Sequence, residues 1–275
     1  MRPLGSAGKP GCYLEGEMAA AAFFDLDKTI IAKSSTLAFT KPLFKAGFLS
    51  RTTLAKAAIA QAYYQAFGAD HEQLERIKEE LAGLTKGWDR NEIIRLVEET
   101  VGEVVAPLVY SEALAIIDDH RRSGRRVVVV STSPDEIVRP LCRYLGIEDV
   151  IATRSEIDED GRYTGTIELY AYGPAKAQAM VEMAANQDID LSASYAYSDS
   201  ITDIPMLEAV GHPVAVNPDS DLLEAATERN WEIRWFESAV TIRDKVVSKA
   251  VPGVAVASGL AAAVAYVTIK QKKKG

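Results

Sequence analysis

The chain has 275 residues, of which 48% are hydrophobic and 25% charged, with a formal net charge of −8. This length suits an α/β domain, alone or with a small accessory domain, and the acidic balance argues against a nucleic-acid partner, which would require a basic face. The two cysteines, Cys12 and Cys142, are too few for a disulfide framework or a zinc site and fit a reducing, cytoplasmic compartment.

The first predicted strand is the uncharged run 19–24, which follows a segment, 1–18, that we expect to be disordered and without a signal peptide. Asp25 and Asp27 come directly after this run, and on an extended strand their carboxylates would share a face. The carboxyl end of a buried parallel strand is where ligands gather in open α/β sheets. One carboxylate could act as a nucleophile while the other handles protons. The alternative is an acidic turn that caps a helix.

A helical region follows the first strand. The sequence predicts helices over 54–67, 71–84 and 91–101, with apolar residues at helical spacing in the last two. We therefore expect a small helical cap over 40–105, inserted between two parts of a core, 19–39 and 106–237. The alternative is a helical layer that packs directly on the core.

The second predicted strand is Val127–Val130, a β-branched run typical of a buried strand. It is followed by Ser131 and Thr132, whose hydroxyls could bind a phosphoryl oxygen or could cap the next helix. Farther along, Pro174 suits the first turn of a helix. Lys176 in that helix could supply a positive charge to a site, or it could be solvated surface.

A third strand is predicted over Ser194–Tyr197, and it leads into Asp199 and Asp203, two carboxylates four residues apart. Between the second and third strands, the Asp-Gly pair within Ile157–Tyr163 indicates a hairpin turn. Trp231–Phe236 is predicted to be a closing edge strand.

The C-terminal part is different in composition. After a linker at 238–249, the run 250–269 contains 20 residues without a charge, and basic residues flank it on both sides. That length can just cross a bilayer. We expect 250–275 to attach the protein to the cytoplasmic face of a membrane, and the alternatives are a soluble packing helix or a disordered tail.

In order and residue type, the four motifs resemble those of the haloacid dehalogenase superfamily. The likeness is strongest to its phosphoserine-phosphatase-like branch, which has a helical cap, and it spans roughly residues 20–236. The matching residues are Asp25, Asp27 and Thr29 in the first motif, Ser131 in the second, Lys176 in the third, and Asp199 with Asp203 in the fourth. The resemblance implies an α/β fold with a doubly wound, mostly parallel sheet.

Two positions depart from this branch. Ser34 occupies the place of a glutamate that grips the substrate amine in phosphoserine phosphatases, and Thr202 replaces an asparagine of the fourth motif. Phosphoserine as the substrate is therefore in question, whereas phosphatase chemistry is not.

The resemblance implies a Mg²⁺-dependent phosphomonoesterase that works through an aspartyl-phosphate. Asp25 would be the nucleophile and Asp27 the general acid and base. Metal ligands would be Asp25, Asp199 and the backbone carbonyl of Asp27. The other implied roles are phosphate binding by Ser131, Thr132 and Lys176, and support by Thr29, Thr202 and Asp203.

The implied substrate is a small phosphomonoester such as phosphoserine, another metabolite phosphate or a lipid headgroup phosphate. A phosphotransferase would share every catalytic residue, and a membrane-tethered binding module with a vestigial site is a third alternative. The sequence does not indicate an oligomeric state.

Overall fold

A computed structural model of the chain describes residues 19–53 and 82–237. Its centre is a seven-stranded sheet in the order β4-β3-β2-β1-β5-β6-β7. The strands are β1 (Ala21–Phe24), β2 (Arg126–Pro134), β3 (Asp149–Ile157), β4 (Tyr163–Leu169), β5 (Tyr195–Ser198), β6 (His212–Val216) and β7 (Glu232–Arg234). All neighbours pair in parallel except β3 and β4, which are antiparallel. The expected α/β class with a mostly parallel sheet is confirmed.

Helices connect the strands, except between β3 and β4. They are α1 (Ser35–Ala38), α2 (Thr40–Lys45), α3 (Arg90–Val105), α4 (Ser111–Arg122), α5 (Asp135–Tyr144), α6 (Pro174–Asn186), α7 (Ile204–Glu208) and α8 (Ser220–Glu228). Short 3₁₀ turns lie at Ala106–Leu108, Leu191–Ala193 and Ile201–Asp203.

Strand β1 lies at the centre of the sheet and is buried along its whole length. Because successive side chains on a strand point to opposite faces, β1 packs against helices on both sides. Phe23 belongs to the core cluster that contains Met180 of α6, whereas the ring of Phe24 lies 6.0 Å from that of His120 in α4. Two covered faces explain why the strand is a continuous apolar run without alternation.

The chain order changes direction at β1. From there it runs outward through β2, β3 and β4 on one side, and through β5, β6 and β7 on the other. The crevice beyond the carboxyl ends of strands at such a switch point is the usual ligand site of open α/β sheets. Here it lies between β1 and β5, at the position of Asp25.

The predicted hairpin is present between β3 and β4. Gly161 has a φ of +79°, which favours glycine, and its N–H donates to the carbonyl of Asp158 at 3.0 Å. The same Asp158 accepts from Arg162 N through its side chain. The edge strand at the other end, β7, is shorter than the predicted Trp231–Phe236, and β2 continues past Val130 to Pro134 with a register shift between Ser131 and Pro134.

The third predicted helix of the cap region is α3, which buries Ile93, Val97, Val101 and Val105 on one face and packs against α5. The segment before α3 pairs with the hairpin: Gly87 N donates to Tyr163 O at 2.8 Å, and Tyr163 N donates to Trp88 O at 3.1 Å. This pairing ties the segment before α3 to the edge of the sheet.

Several predictions fall on residues that the structure does not describe. They are the disordered segment 1–18, the helix over 54–67 and most of that over 71–84, the linker 238–249 and the apolar segment 250–275. The division into core and cap stays a prediction. Within 19–53 and 82–237, no helix combines the length and apolar character that a membrane span requires.

Candidate active site

The carboxyl ends of β1, β2 and β5 and the first turn of α6 bring the predicted motif residues to one edge of the sheet. Asp25 follows β1 directly, and its N–H donates to Tyr197 O of β5 at 2.9 Å. Asp199 follows β5, and Ser131 lies in the irregular part of β2. Four motifs that are far apart in sequence therefore converge.

The centre of the site is a buried lysine between two carboxylates. Lys176 Nζ lies 2.6 Å from Asp25 Oδ1 and 2.8 Å from Asp203 Oδ2. The three residues are between 2% and 6% exposed. Ser198 Oγ also donates to Asp203 Oδ2, at 2.7 Å, so Asp203 is held by two donors and fixes the ammonium beside Asp25.

The electrostatics of this group follow from burial and from the number of carboxylates. Burial raises the pKa of Asp25 above its ordinary value, Lys176 opposes that shift, and Asp203 and Asp199 add repulsion. Burial alone would lower the pKa of Lys176, but Asp25 and Asp203 raise it. One buried ammonium therefore neutralises only part of the negative charge at this edge, and the site favours cations.

The first turn of α6 determines the position of Lys176. Gly173 has a φ of +54°, a backbone conformation that a side chain would strain. Pro174 follows in the first turn, as predicted. Lys176 N then donates to Gly173 O at 3.1 Å, which closes the first turn and directs the lysine into the core.

Asp199 is the other buried carboxylate of the site, with its side chain 8% exposed. Burial raises its pKa to about 6, against the attraction of Lys28. Lys28 Nζ lies 3.4 Å from Asp199 Oδ2, and Lys28 has a left-handed backbone with φ of 62°. Asp219, at the start of α8, holds the loop: its N–H donates to Asp199 O, and its Oδ2 accepts from Ile201 N at 3.0 Å.

The donor set of this edge fits a hard divalent cation. Asp25 and Asp199 offer buried carboxylate oxygens with excess negative charge, which is what Mg²⁺ prefers. Among residues 19–53 and 82–237, no group of three or more His, Cys, Asp or Glu side chains is suited to a metal. A metal would therefore need two carboxylates together with backbone oxygen and water.

Asp27 lies beside this centre, and both of its oxygens accept hydrogen bonds. Oδ1 accepts from Ser35 N at 2.8 Å, and Oδ2 accepts from Ser133 Oγ at 3.1 Å. Thr29 is 1% exposed, and its hydroxyl is the buried side-chain polar atom for which the described structure contains no hydrogen-bond partner.

The remaining predicted residues, Ser131, Thr132 and Thr202, differ in their hydrogen-bond partners. Ser131 Oγ accepts from Ser133 N at 3.2 Å, which leaves its hydroxyl hydrogen for another acceptor. Thr132 Oγ1 instead donates to Ala171 O at 2.9 Å, so its side chain links β2 to the segment before α6. Thr202 Oγ1 lies 3.1 Å from Ser200 Oγ, within the loop that bears Asp199.

Sequence reasoning assigned no role to Ser133 and Ser35, which bind Asp27, or to Lys28, which contacts Asp199. Asp219, which holds the loop of Asp199, was not assigned a role from the sequence either. A hydroxyl two residues after Ser131, on the same side of an extended strand, was the available signal for Ser133.

Comparison with known proteins identifies the family of the chain. The model of the haloacid dehalogenase-like hydrolase family matches residues 22–208. The chain belongs to this family. A Mycobacterium tuberculosis protein named "probable phosphatase" is 46% identical over 257 residues, which cover 91% of this chain and 89% of that protein. The chain is accordingly a hydrolase of the phosphatase type.

Several solved structures share the fold of this chain. A Bordetella pertussis protein of unknown function is 27% identical, with a TM-score of 0.70, and the match covers 79% of this chain and 98% of that one. A phosphoserine phosphatase, solved as an analogue of its phospho-aspartyl intermediate, has a TM-score of 0.55 at 19% identity over 79% of this chain and 93% of that one. The chain thus shares the fold of a phosphoserine phosphatase.

Proposed function

We propose that this hydrolase is a Mg²⁺-dependent phosphomonoesterase that works through an aspartyl-phosphate on Asp25. The observation that carries the proposal is the contact of Lys176 with Asp25 at 2.6 Å and with Asp203 at 2.8 Å, at the switch point of the sheet. An isolated structural ion pair would not require a carboxylate at the end of β1, where ligands of open α/β sheets bind.

In the proposed reaction, a carboxylate oxygen of Asp25 attacks phosphorus while the bond to the leaving oxygen breaks. Asp27 gives a proton to that oxygen, and it later takes a proton from the water that hydrolyses the aspartyl-phosphate. This division of roles follows the family resemblance: Asp25 contacts the ammonium of Lys176, and Asp27 lies beside it, held by a hydroxyl and a backbone amide.

The transferring phosphoryl group carries most of its charge on its equatorial oxygens, and cationic or hydroxyl donors stabilise that charge. We assign this role to Lys176, to the hydroxyl of Ser131 and to the backbone N–H of Thr132, since the Thr132 side chain is bonded to Ala171. Asp203 holds Lys176, and Thr29 and Thr202 support the first and fourth motifs.

The residues that would hold Mg²⁺ are Asp25, Asp199 and the backbone carbonyl of Asp27. The ion would reduce the repulsion between an anionic nucleophile and an anionic phosphate, the main electrostatic obstacle to the reaction. Lys28 partly offsets the charge of Asp199.

The proposed substrate is a small alkyl phosphomonoester: phosphoserine, another metabolite phosphate or a phosphorylated lipid headgroup. Ser34 is the N-cap of α1, and its hydroxyl accepts from Leu37 N at 3.4 Å. A position that carries a substrate-binding glutamate in phosphoserine phosphatases thus caps a helix here, which favours substrates without an amine.

Two other functions share parts of this site. A phosphotransferase would use the same residues with an acceptor other than water, and product analysis in the presence of added alcohols distinguishes it. A binding module with a vestigial site would not need Asp25, Asp27, Lys176 and Asp199 together, and Mg²⁺-stimulated hydrolysis of p-nitrophenyl phosphate distinguishes it from an enzyme.

We further propose that the enzyme is cytoplasmic and that 250–275 attaches it to the cytoplasmic face of a membrane. The support is the uncharged run 250–269 with lysines after it, since a basic residue near an anionic surface contributes about 1 kcal/mol. Fractionation of cells that express the full chain or a form ending at Lys249 tests this. Equal recovery of both in the soluble fraction would exclude attachment.

The decisive experiment measures hydrolysis of p-nitrophenyl phosphate by the full chain with and without Mg²⁺. Asp25→Asn should abolish turnover, while Asp118→Asn, an exposed carboxylate of α4, should not change it. With ³²P-labelled substrate, acid quenching should trap label on the wild-type protein and not on Asp25→Asn. Normal turnover by Asp25→Asn would exclude the mechanism.

A further inference from the structure

The hydroxyl of Ser133 has three hydrogen-bonding neighbours, and its chemistry determines the direction of each bond. Ser133 Oγ lies 3.1 Å from Asp27 Oδ2, 2.9 Å from Ser35 Oγ and 3.1 Å from Thr36 Oγ1. A hydroxyl has one hydrogen and two lone pairs. The Ser133 hydroxyl donates to Asp27 Oδ2 and accepts from Ser35 Oγ, so its second lone pair accepts from the hydroxyl of Thr36.

These bonds restrict the carboxylate plane of Asp27. The terminal torsion of an aspartate is broad and does not by itself fix that plane. Here one oxygen accepts from Ser35 N and the other from Ser133 Oγ. Two donors on opposite oxygens leave a single orientation that satisfies both, so the direction of each Asp27 oxygen is determined by α1 and by the end of β2.

The position of Ser133 follows from the backbone of β2. The parallel register with β3 shifts between Ser131 and Pro134, and Ser133 N donates to Ser131 Oγ at 3.2 Å. Ser133 is 7% exposed and Ser35 is fully buried. The contact is thus built into the core, and it is distinct from the predicted phosphate-binding role of Ser131.

We propose that Ser133, oriented by Ser35 and Thr36, is a positioning residue that aims the Asp27 carboxyl group at the leaving-group oxygen. This inference rests on the proposed phosphatase function. As the Asp25–phosphorus bond forms, the electrons of the breaking phosphorus–oxygen bond pass to the leaving oxygen, which takes the proton from Asp27. Proton transfer of this kind depends on geometry, and a misplacement of 1 Å can cost about a hundredfold in rate.

The dependence on the leaving group distinguishes positioning of an acid from general damage. An alkoxide is a poor leaving group and needs the proton, whereas 2,4-dinitrophenolate leaves without it. For Ser133→Ala we expect kcat/KM on ethyl phosphate to fall about 10- to 100-fold, because general acid catalysis contributes about 10²–10⁴-fold. On 2,4-dinitrophenyl phosphate the loss in kcat/KM should be under about threefold, because little acid assistance is required and because kcat/KM excludes the later hydrolysis of the aspartyl-phosphate, in which Asp27 acts as a base.

Two further variants serve as controls. Ser133→Thr keeps the hydroxyl, and it should recover most of the ethyl phosphate activity. Ser194→Ala removes a buried hydroxyl at the amino end of β5, where it accepts from Ala21 N at 2.9 Å. It should lower thermal stability without changing the ratio of activities on the two substrates.

Each outcome bears on one of the two proposals. An equal loss of kcat/KM on both esters in Ser133→Ala, or no loss on either, would overturn the positioning role while wild-type turnover upholds the phosphatase. Failure of the wild-type chain to hydrolyse either ester would overturn the proposed function, and the positioning role with it.

Discussion

The backbone N–H of Asp219 donates to the carbonyl oxygen of Asp199 at 2.8 Å. The Asp219 carboxylate also accepts from Ile201 N at 3.0 Å and from Leu222 N at 2.8 Å. It therefore caps α8 and at the same time fixes the loop that carries Asp199. A residue outside the four motifs thus links helix capping to the geometry of the predicted metal ligand.

Asp219→Ala should weaken Mg²⁺ binding, because loss of a group that orients a ligand lowers metal affinity by about 10–100-fold. Loss of the cap should also reduce stability by about 1 kcal/mol. Asp219→Asn keeps a side-chain oxygen and should retain most of both properties. Isothermal titration with Mg²⁺ measures the affinity, and an unchanged affinity in Asp219→Ala would contradict the orienting role.

Lys176→Met should impair both stability and activity. It leaves Asp25 and Asp203 buried without their ammonium, and breaking a buried ion pair typically costs about 3–5 kcal/mol. Loss of a cationic group at the phosphoryl oxygens should also lower kcat by about 10²–10³-fold. Urea unfolding and p-nitrophenyl phosphate assays measure the two effects.

The control for this change is Lys45→Met, at an exposed lysine of α2. It also removes one positive charge, yet its stability should change by less than about 0.5 kcal/mol. If Lys176→Met were as stable as Lys45→Met, the buried triad would not hold this edge of the sheet together.

The sequence was informative where charged residues stand at the end of a predicted strand or at the start of a predicted helix. Asp25, Lys176 and Asp199 were predicted from strand ends and a helix start, and the sheet brings these positions to one edge. The strand runs predicted β1, β2 and β5 closely because buried parallel strands are continuously apolar.

The contacts of the serine hydroxyls were not predictable from the sequence. Ser133 and Asp27 are 106 residues apart, and their contact depends on the register shift after Ser131. The role of Ser34 was also not predictable: its hydroxyl caps α1, as serines do in many helices. Hydroxyl residues have many common roles, so a sequence pattern does not select one of them.

Two glycines should respond in opposite ways to substitution by alanine. A Cβ on Gly211 would lie 1.8 Å from the backbone oxygen of Ser192, so backbone must move. Overpacking of this kind costs about 1–3 kcal/mol or more. A Cβ on Gly102, inside α3, would meet Tyr144 at 3.7 Å, an ordinary contact, and alanine in a helix interior is favoured by about 0.5–1 kcal/mol.

We therefore expect Gly211→Ala to lower the unfolding free energy and Gly102→Ala to raise it, both measured by urea denaturation at neutral pH. Gly102→Ala also serves as the matched control for expression and handling. Equal stability of the two variants would mean that the close approach of Gly211 to Ser192 is not maintained in solution.

His120 packs against β1 and β5, where its ring lies near those of Phe24 and Tyr197. Its Nε2 lies 2.8 Å from Tyr197 Oη, and its Nδ1 lies 3.2 Å from Arg125 Nη1. A guanidinium only donates, so Nδ1 accepts and the ring proton is on Nε2. Burial lowers the pKa of His120 to about 4, and repulsion by Arg125 adds to the shift against the attraction of Asp119.

A histidine whose pKa is lower in the folded than in the unfolded state binds fewer protons when folded. The free energy of unfolding therefore decreases as the pH is lowered. The loss begins near the unfolded pKa of about 6.5 and is complete near the folded value. Between about pH 7 and pH 5, His120 should cost about 2 kcal/mol of unfolding free energy. His120→Gln does not titrate and should lack this contribution.

Urea unfolding of both proteins at the two pH values provides the measurement. Other groups titrate in the same range, and Asp199 acts in the opposite direction because its pKa is raised to about 6. These contributions are common to both proteins, so only the difference between their pH dependences is assigned to His120. Parallel pH dependences would show that His120 is protonated as readily in the folded chain as in the unfolded one.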